Sequence, residues 1–151
     1  LYTNWKRNSP SPEMLIFGAP RRQVCTVQRE KTLTPLQPLV LMNSPQFVET
    51  ARVLAAHSLQ LDASEGERIQ SIFFKLSGRP PSTKEIEVLT RLLTAQRDYF
   101  AAQPEIAKEL TAVGKTKLDK QTTEAHSHGE IAAWTMVAST VLNLDAYYMV
   151  R

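Results

Sequence analysis

Residues 130–144, E-I-A-A-W-T-M-V-A-S-T-V-L-N-L, are apolar nearly all the way round a helix. A helix without a polar face must be covered on several sides, so its neighbours have to be arranged about it. Gly129 marks the change, because residues 115–128, K-T-K-L-D-K-Q-T-T-E-A-H-S-H, are polar with one large apolar residue and read as a mobile loop. The contrast predicts an all-α fold with its last helix at the centre. Trp134 is expected there as core rather than as a ligand platform.

The segments before it carry helix punctuation. Thr34-Pro35 offers a capping hydroxyl and then proline at the first helical position, for a short helix ending near Asn43. Ser44-Pro45 repeats this and opens a helix to about Leu61, with an apolar stripe of Phe47, Val48, Ala51, Leu54, Ala55 and Leu59. Ser64 with Glu67, and Ser82 with Glu85, have capping-box spacing. The first precedes Ile69, Ile72, Phe73 and Leu76 and stops at Gly78. The second leads a long amphipathic run through Ile86, Leu89, Leu92, Leu93, Tyr99 and Phe100. Pro104 opens a short helix closed at Gly114. Strand alternation is nowhere sustained, and no internal repeat is visible.

The N-terminal part differs. Leu1 and Trp5 suit the tail of a helix, after which Pro10, Pro12 and Pro20 disfavour helix. Met14, Leu15, Ile16 and Phe17 are too apolar for a free linker, so this stretch reads as an extended strap laid on a surface. The expected architecture is an irregular bundle of five to six helices with an extended, proline-rich N-terminal strap. We expect one domain over residues 1–151, with the strap at 1–34 and the bundle at 35–151. The opening L-Y-T-N-W-K-R, without initiator or leader, suggests the C-terminal fragment of a longer polypeptide.

The net charge of +3 is too small to imply a nucleic-acid partner, but residues 1–34 hold six Lys or Arg against two Glu. No apolar run is long enough for a membrane span. The single cysteine cannot form an internal disulfide. The chain has no C-x-x-C-H, C-x-x-C, H-E-x-x-H or G-x-S-x-G motif and no glycine-rich phosphate loop. No cofactor is expected within it.

The residues open to a chemical role are few. Arg21, Arg22, Arg29 and Lys31 could bind an anionic surface or partner, since guanidinium forks suit carboxylates and phosphates. Internal pairing with Glu13, Glu30 or helix ends is the preferred reading. Cys25 among them could be a reactive thiol, and is preferred as a small apolar anchor. His126 and His128, flanked by Glu124 and Glu130, are the nearest approach to a metal site, but two-residue spacing in a polar loop favours solvated histidines. His57 stands alone. Asn43 and Asn143 read as helix-end residues, and Asp145 as a cap or ion-pair partner.

Three segments carry a resemblance. They are Y-T-N-W-K-R-N-S-P-S-P-E-M-L-I-F-G-A-P-R-R-Q-V-C-T-V-Q-R-E-K-T-L-T-P-L-Q-P-L-V-L-M-N-S-P-Q-F, then F-F-K-L-S-G-R-P-P-S-T-K-E-I, and E-I-A-A-W-T-M-V-A-S-T-V-L-N-L-D. Over nearly its whole length the chain resembles the planctomycete cytochrome-associated C-terminal domain family, domain of unknown function 1553. The resemblance implies a large exported protein, periplasmic or at the cell surface, with c-type haem in upstream domains and those domains as partners. It carries no catalytic residues over. Gly18 stands where the family's F-D-A-P leads one to expect aspartate, and Ala146 where glutamate usually follows L-D.

The balance of features leans away from an enzyme and toward a non-catalytic module for interdomain or partner packing. One alternative is part of an extracytoplasmic enzyme on polysaccharide or sulfated glycans, which would need two carboxylates facing one cleft. Another is an electron-transfer docking module using the basic arm.

Overall fold

Helices begin in this chain where proline or an oxygen-bearing side chain deals with the unpaired amides of a first turn. The computed structural model describes residues 10–19 and 34–144. Among them are eight helices: α1 (Pro12–Ile16), α2 (Leu36–Asn43), α3 (Pro45–Leu59), α4 (Glu65–Ser77), α5 (Thr83–Ala102), α6 (Pro104–Ala112), α7 (Lys120–Ala125) and α8 (His128–Leu142). No strand occurs among the described residues, so the all-α class holds. The chain divides into two compact units, Leu1–Val40 and Leu41–Arg151.

Within the first unit, the strap is not extended throughout. Pro12 sits at the start of α1, where its fixed φ suits a helix and its missing N–H costs nothing. Met14, Leu15 and Ile16 therefore lie on a short helix, a correction to the extended reading. Its end is closed by Ala19 N–H donating to the Met14 carbonyl at 2.9 Å and Gly18 N–H to Leu15 at 3.0 Å. This is the paired bonding of a left-handed helix stop, and Gly18 has φ +69°. An aspartate there would meet the Cβ penalty of that conformation, so glycine is the residue this turn favours. The Gln37 side chain donates to the Ile16 carbonyl at 3.0 Å.

In the second unit, both capping boxes form. Ser64 N–H donates to Glu67 at 2.8 Å and Ser82 N–H to Glu85 at 2.7 Å, with each serine hydroxyl accepting in return. Gly78 ends α4 at φ +71°. Helix α8 packs against α3, α4, α5 and α6. Nine of its fifteen residues are buried, and Trp134 is fully enclosed. Ala51 and Ala55 of α3 and Ala132, Ala133 and Ala138 of α8 are buried too, and such small residues let helix axes come close. Phe73, Ile69, Ile72, Leu93 and Phe100 complete the core.

Three readings change. Residues 115–128 are not simply a loop: Asp119 caps α7 through Gln121 N–H, and Thr122 is buried. Together α1 and α7 raise the helix count above the expected five to six. Tyr99 is exposed, its ring edge-on to Phe100 with centroids 5.1 Å apart. Residues 1–9, 20–33 and 145–151 are outside the described residues, and with them the Leu1–Trp5 reading and most of the strap.

The link from α6 to α7 is held by α3. Glu49 accepts from the backbone N–H of Lys115 at 3.0 Å and of Thr116 at 2.6 Å, while buried Arg52 donates to the Thr116 carbonyl. Gly114, at φ +101°, passes so near that an added Cβ would lie 2.4 Å from the Glu49 side chain. Replacing Gly114 by Ala should destabilise the protein by about 1–3 kcal/mol, through backbone strain and displacement of Glu49. Hydrogen exchange would show it: the Lys115 and Thr116 amides should lose protection more than the core of α8. Unchanged protection at both would contradict this account of the link.

Candidate functional site

The most concentrated polar chemistry in the second unit lies where α4, α5 and α8 meet. Arg97 of α5 reaches Glu130 with two parallel bonds, Nε to Oε2 at 2.8 Å and Nη2 to Oε1 at 2.6 Å. Its Nη1 lies 2.7 Å from Glu65 Oε1 at the start of α4. Trp134 Nε1 donates to Glu130 Oε1 at 2.8 Å from one turn further along α8. One carboxylate thus accepts three bonds in a setting where its side chain is only 23% exposed.

The local sequence explains the arrangement. Ser127 caps α8 by accepting from Glu130 N–H, and S-x-x-E is capping-box spacing. The carboxylate nevertheless turns to Arg97 and Trp134 instead of back to Ser127. Burial pushes the Glu130 carboxyl up, but the Arg97 bonds, the Trp134 N–H and the charges of Arg97 and His126 outweigh it, leaving it below its ordinary value. The Arg97 guanidinium is pushed further up, chiefly by its bond to Glu130. A general acid needs the opposite shift, toward neutral pH. Glu65 and Glu130 are paired carboxylates, but they grip one cation.

A second fork, Arg79 to Glu85 at 2.6 and 3.0 Å, fastens the turn between α4 and α5. It brings the Glu85 carboxyl to about 2, and Arg79 also stacks 4.8 Å from the Phe73 ring centroid.

His128 opens α8, with Nδ1 2.8 Å from Thr111 Oγ1. His126, at the end of α7, lines a cavity of about 340 Å³ with Gln60 and Thr122. Among the described residues no three His, Cys, Asp or Glu side chains converge as a metal site. His57 is exposed on an open groove of about 570 Å³ beside Glu49 and Lys75. Asn43 and Asn143 end α2 and α8 and line one cleft of about 360 Å³. Cys25, Arg21, Arg22, Arg29, Lys31 and Asp145 lie outside the described residues, as does Ala146.

Sequence reasoning singled out Glu130 but missed Arg97, Glu65 and Thr111. The i, i+4 spacing of Glu130 and Trp134 was visible, whereas Arg97, 33 residues away, carries no local mark.

The depressed Glu130 pKa gives a pH test. Stability from its ionised form is fully present above the unfolded carboxylate value, about 4.3, and is lost as pH falls through the lower folded value. Glu130→Gln should therefore cost about 1–3 kcal/mol at pH 7. The gap to the parent, read by denaturant unfolding, should shrink as pH drops below about 4. A gap independent of pH would refute the charge-based account.

No described helix is long and apolar enough to cross a membrane. Neither a curated protein nor a solved structure matches the chain. A family match does exist: PSD1, described as "Protein of unknown function (DUF1553)", covers residues 1–93. That span takes in the first two of the three resembling segments, and α8 lies beyond it. With more than half its length matched, the chain belongs to this family of proteins of unknown function.

Proposed function

We propose that this chain is a non-catalytic helical module that packs against other domains of the same polypeptide, in an exported, periplasmic or surface protein. The observation that carries the reading is the use made of Glu130: this carboxylate accepts three bonds from Arg97 and Trp134, and the same Arg97 reaches Glu65, so the cluster holds three helices together. A carboxylate so paired, with its pKa depressed, suits support of structure better than proton transfer.

The surface supports the same reading. Leu36, Leu39 and Met42 follow three-residue spacing on α2 and are each more than half exposed. Neighbouring apolar side chains of this size on one helix suit burial against another protein surface. The partner we favour is the set of domains preceding this chain, as the family resemblance implies. Haem, where such a protein carries it, would belong to those domains, because the single cysteine here cannot supply both thioether bonds of a C-x-x-C-H attachment.

The test compares the longer polypeptide with the chain alone. Leu36→Glu with Met42→Glu should leave the melting of the isolated chain within a few degrees of the parent. In the longer polypeptide the same pair should separate the module's unfolding from that of its neighbours, seen as an added calorimetric transition. A well-folded isolated chain with turnover of its own would overturn the proposal.

A further inference from the structure

We propose that a second copy of this chain pairs with the first through α5, the two helices running antiparallel about a two-fold axis. Helix α5 carries two apolar stripes. Leu89, Leu93 and Phe100 form one and are buried in the core. Val88, Leu92, Ala95 and Tyr99 form the other, at intervals of four, three and four residues, about a quarter-turn round the helix from the first. Val88 is 52% exposed and Tyr99 44%, Ala95 is exposed, and Leu92 is half-buried where the stripe borders the core. Alternating spacings of four and three are those by which one helix seats its side chains on another. This series also reads the same in both directions, as an antiparallel pair requires. Val88 then faces Tyr99 of the second copy, and the large Leu92 faces the small Ala95.

Charge is what selects a second copy as the occupant. Arg91 and Asp98 flank the stripe on its outer side, each one residue before a stripe residue, Leu92 and Tyr99. Both are exposed, and neither has an ion-pair partner among the described residues. When two such helices lie antiparallel, these flanking positions meet each other across the seam. Arg91 therefore faces Asp98 of the second copy, and the two-fold axis repeats the contact with the roles exchanged. In a parallel pair the same residues would face Gln96 and Gln103, and neither charge would be matched. An unrelated apolar helix could cover Val88 and Tyr99, but it would have no reason to carry an acid and a base in this register. The self-complementary charges favour a second copy and fix its direction.

Sedimentation velocity of the 151-residue chain tests this, under reducing conditions so that Cys25 cannot join two copies. The contact is about three turns long, at the small end of interface sizes, so half of the chain should be paired at a concentration on the order of 0.1 mM. Ala95→Glu puts a charge in the seam and keeps a good helix former, so it should abolish pairing with melting unchanged. Ala101→Glu, exposed on α5 away from the stripe, should pair as the parent does. Arg91→Asp and Asp98→Arg should each weaken pairing about tenfold, because like charges then meet on both sides of the axis. Mixed in equal amounts, the two variants should pair with each other as tightly as the parent, each supplying the charge the other lacks. A parent chain that stays monomeric at about ten times that concentration would overturn the proposal. So would an Ala95→Glu chain that still dimerises, or a mixture that pairs no better than its components.

Discussion

One guanidinium, that of Arg97, joins the starts of α4 and α8 to the body of α5, and the central helix depends on it. Helix α8 buries Trp134 completely, and the indole N–H cannot be left without an acceptor at that depth. Glu130 is the acceptor, but bringing a carboxylate to that position removes most of its water. Arg97 supplies the compensating charge and two further donors. Each member therefore makes the next one tolerable: tryptophan needs the carboxylate, and the carboxylate needs the arginine. Removing one partner of such a set costs more than the set contributes, because a desolvated group is left behind. The exposed pair Lys108–Glu105 is the opposite case, since water already surrounds both ends and the pair adds little.

The same logic explains what could be read from the chain before its structure. Ser64–Glu67 and Ser82–Glu85 form capping boxes as their spacing requires, and Glu85 does so while also holding Arg79, because Arg79 sits in the adjoining turn and leaves Glu85 Oε2 able to accept from Ser82 N–H. Ser127–Glu130 has identical spacing, yet the glutamate is taken by Arg97 and Trp134. Local pattern predicts local bonds until a buried group elsewhere outbids them, and that group leaves no trace in nearby residues. The central position of α8 was legible because its whole circumference is apolar. Helix α7 was not, having six residues and one large apolar neighbour, Leu118, too little for periodicity to register.

The strap shows a related limit. Proline disfavours helix in the residue before it, and Ser11 before Pro12 is extended, at ψ 131°. Pro12, however, is the first residue of α1, the one place where proline assists. Five residues are enough for one turn, closed by Gly18 in the left-handed region. That geometry also gives a physical account of the departure from the aspartate the resemblance leads one to expect. The basic residues and Cys25 that drew attention in sequence lie beyond the described residues, so their chemistry adds nothing to the assignment of the helical unit.

The polar groups of the unit serve chiefly to fasten backbone and helix ends. Glu49 and Arg52, one turn apart on α3, take the N–H and C=O groups of the link after α6 and leave it little freedom. Glu130 and Arg97 do the same for helix ends. In both places charge is matched against backbone or against an opposite charge. Elsewhere the matching stops short: the Asn143 amide nitrogen is bonded to the Ser139 carbonyl, while its Oδ1 is buried without a partner. Arg52 Nε, Arg68 Nε and Ser44 Oγ are likewise buried without a partner, so polar satisfaction is incomplete at several places among the described residues. What the ion-paired corner shows is a fastening between helices: it holds the features an acid–base site would first suggest, but the Glu130 carboxyl lies below its ordinary value, the reverse of what a general acid needs.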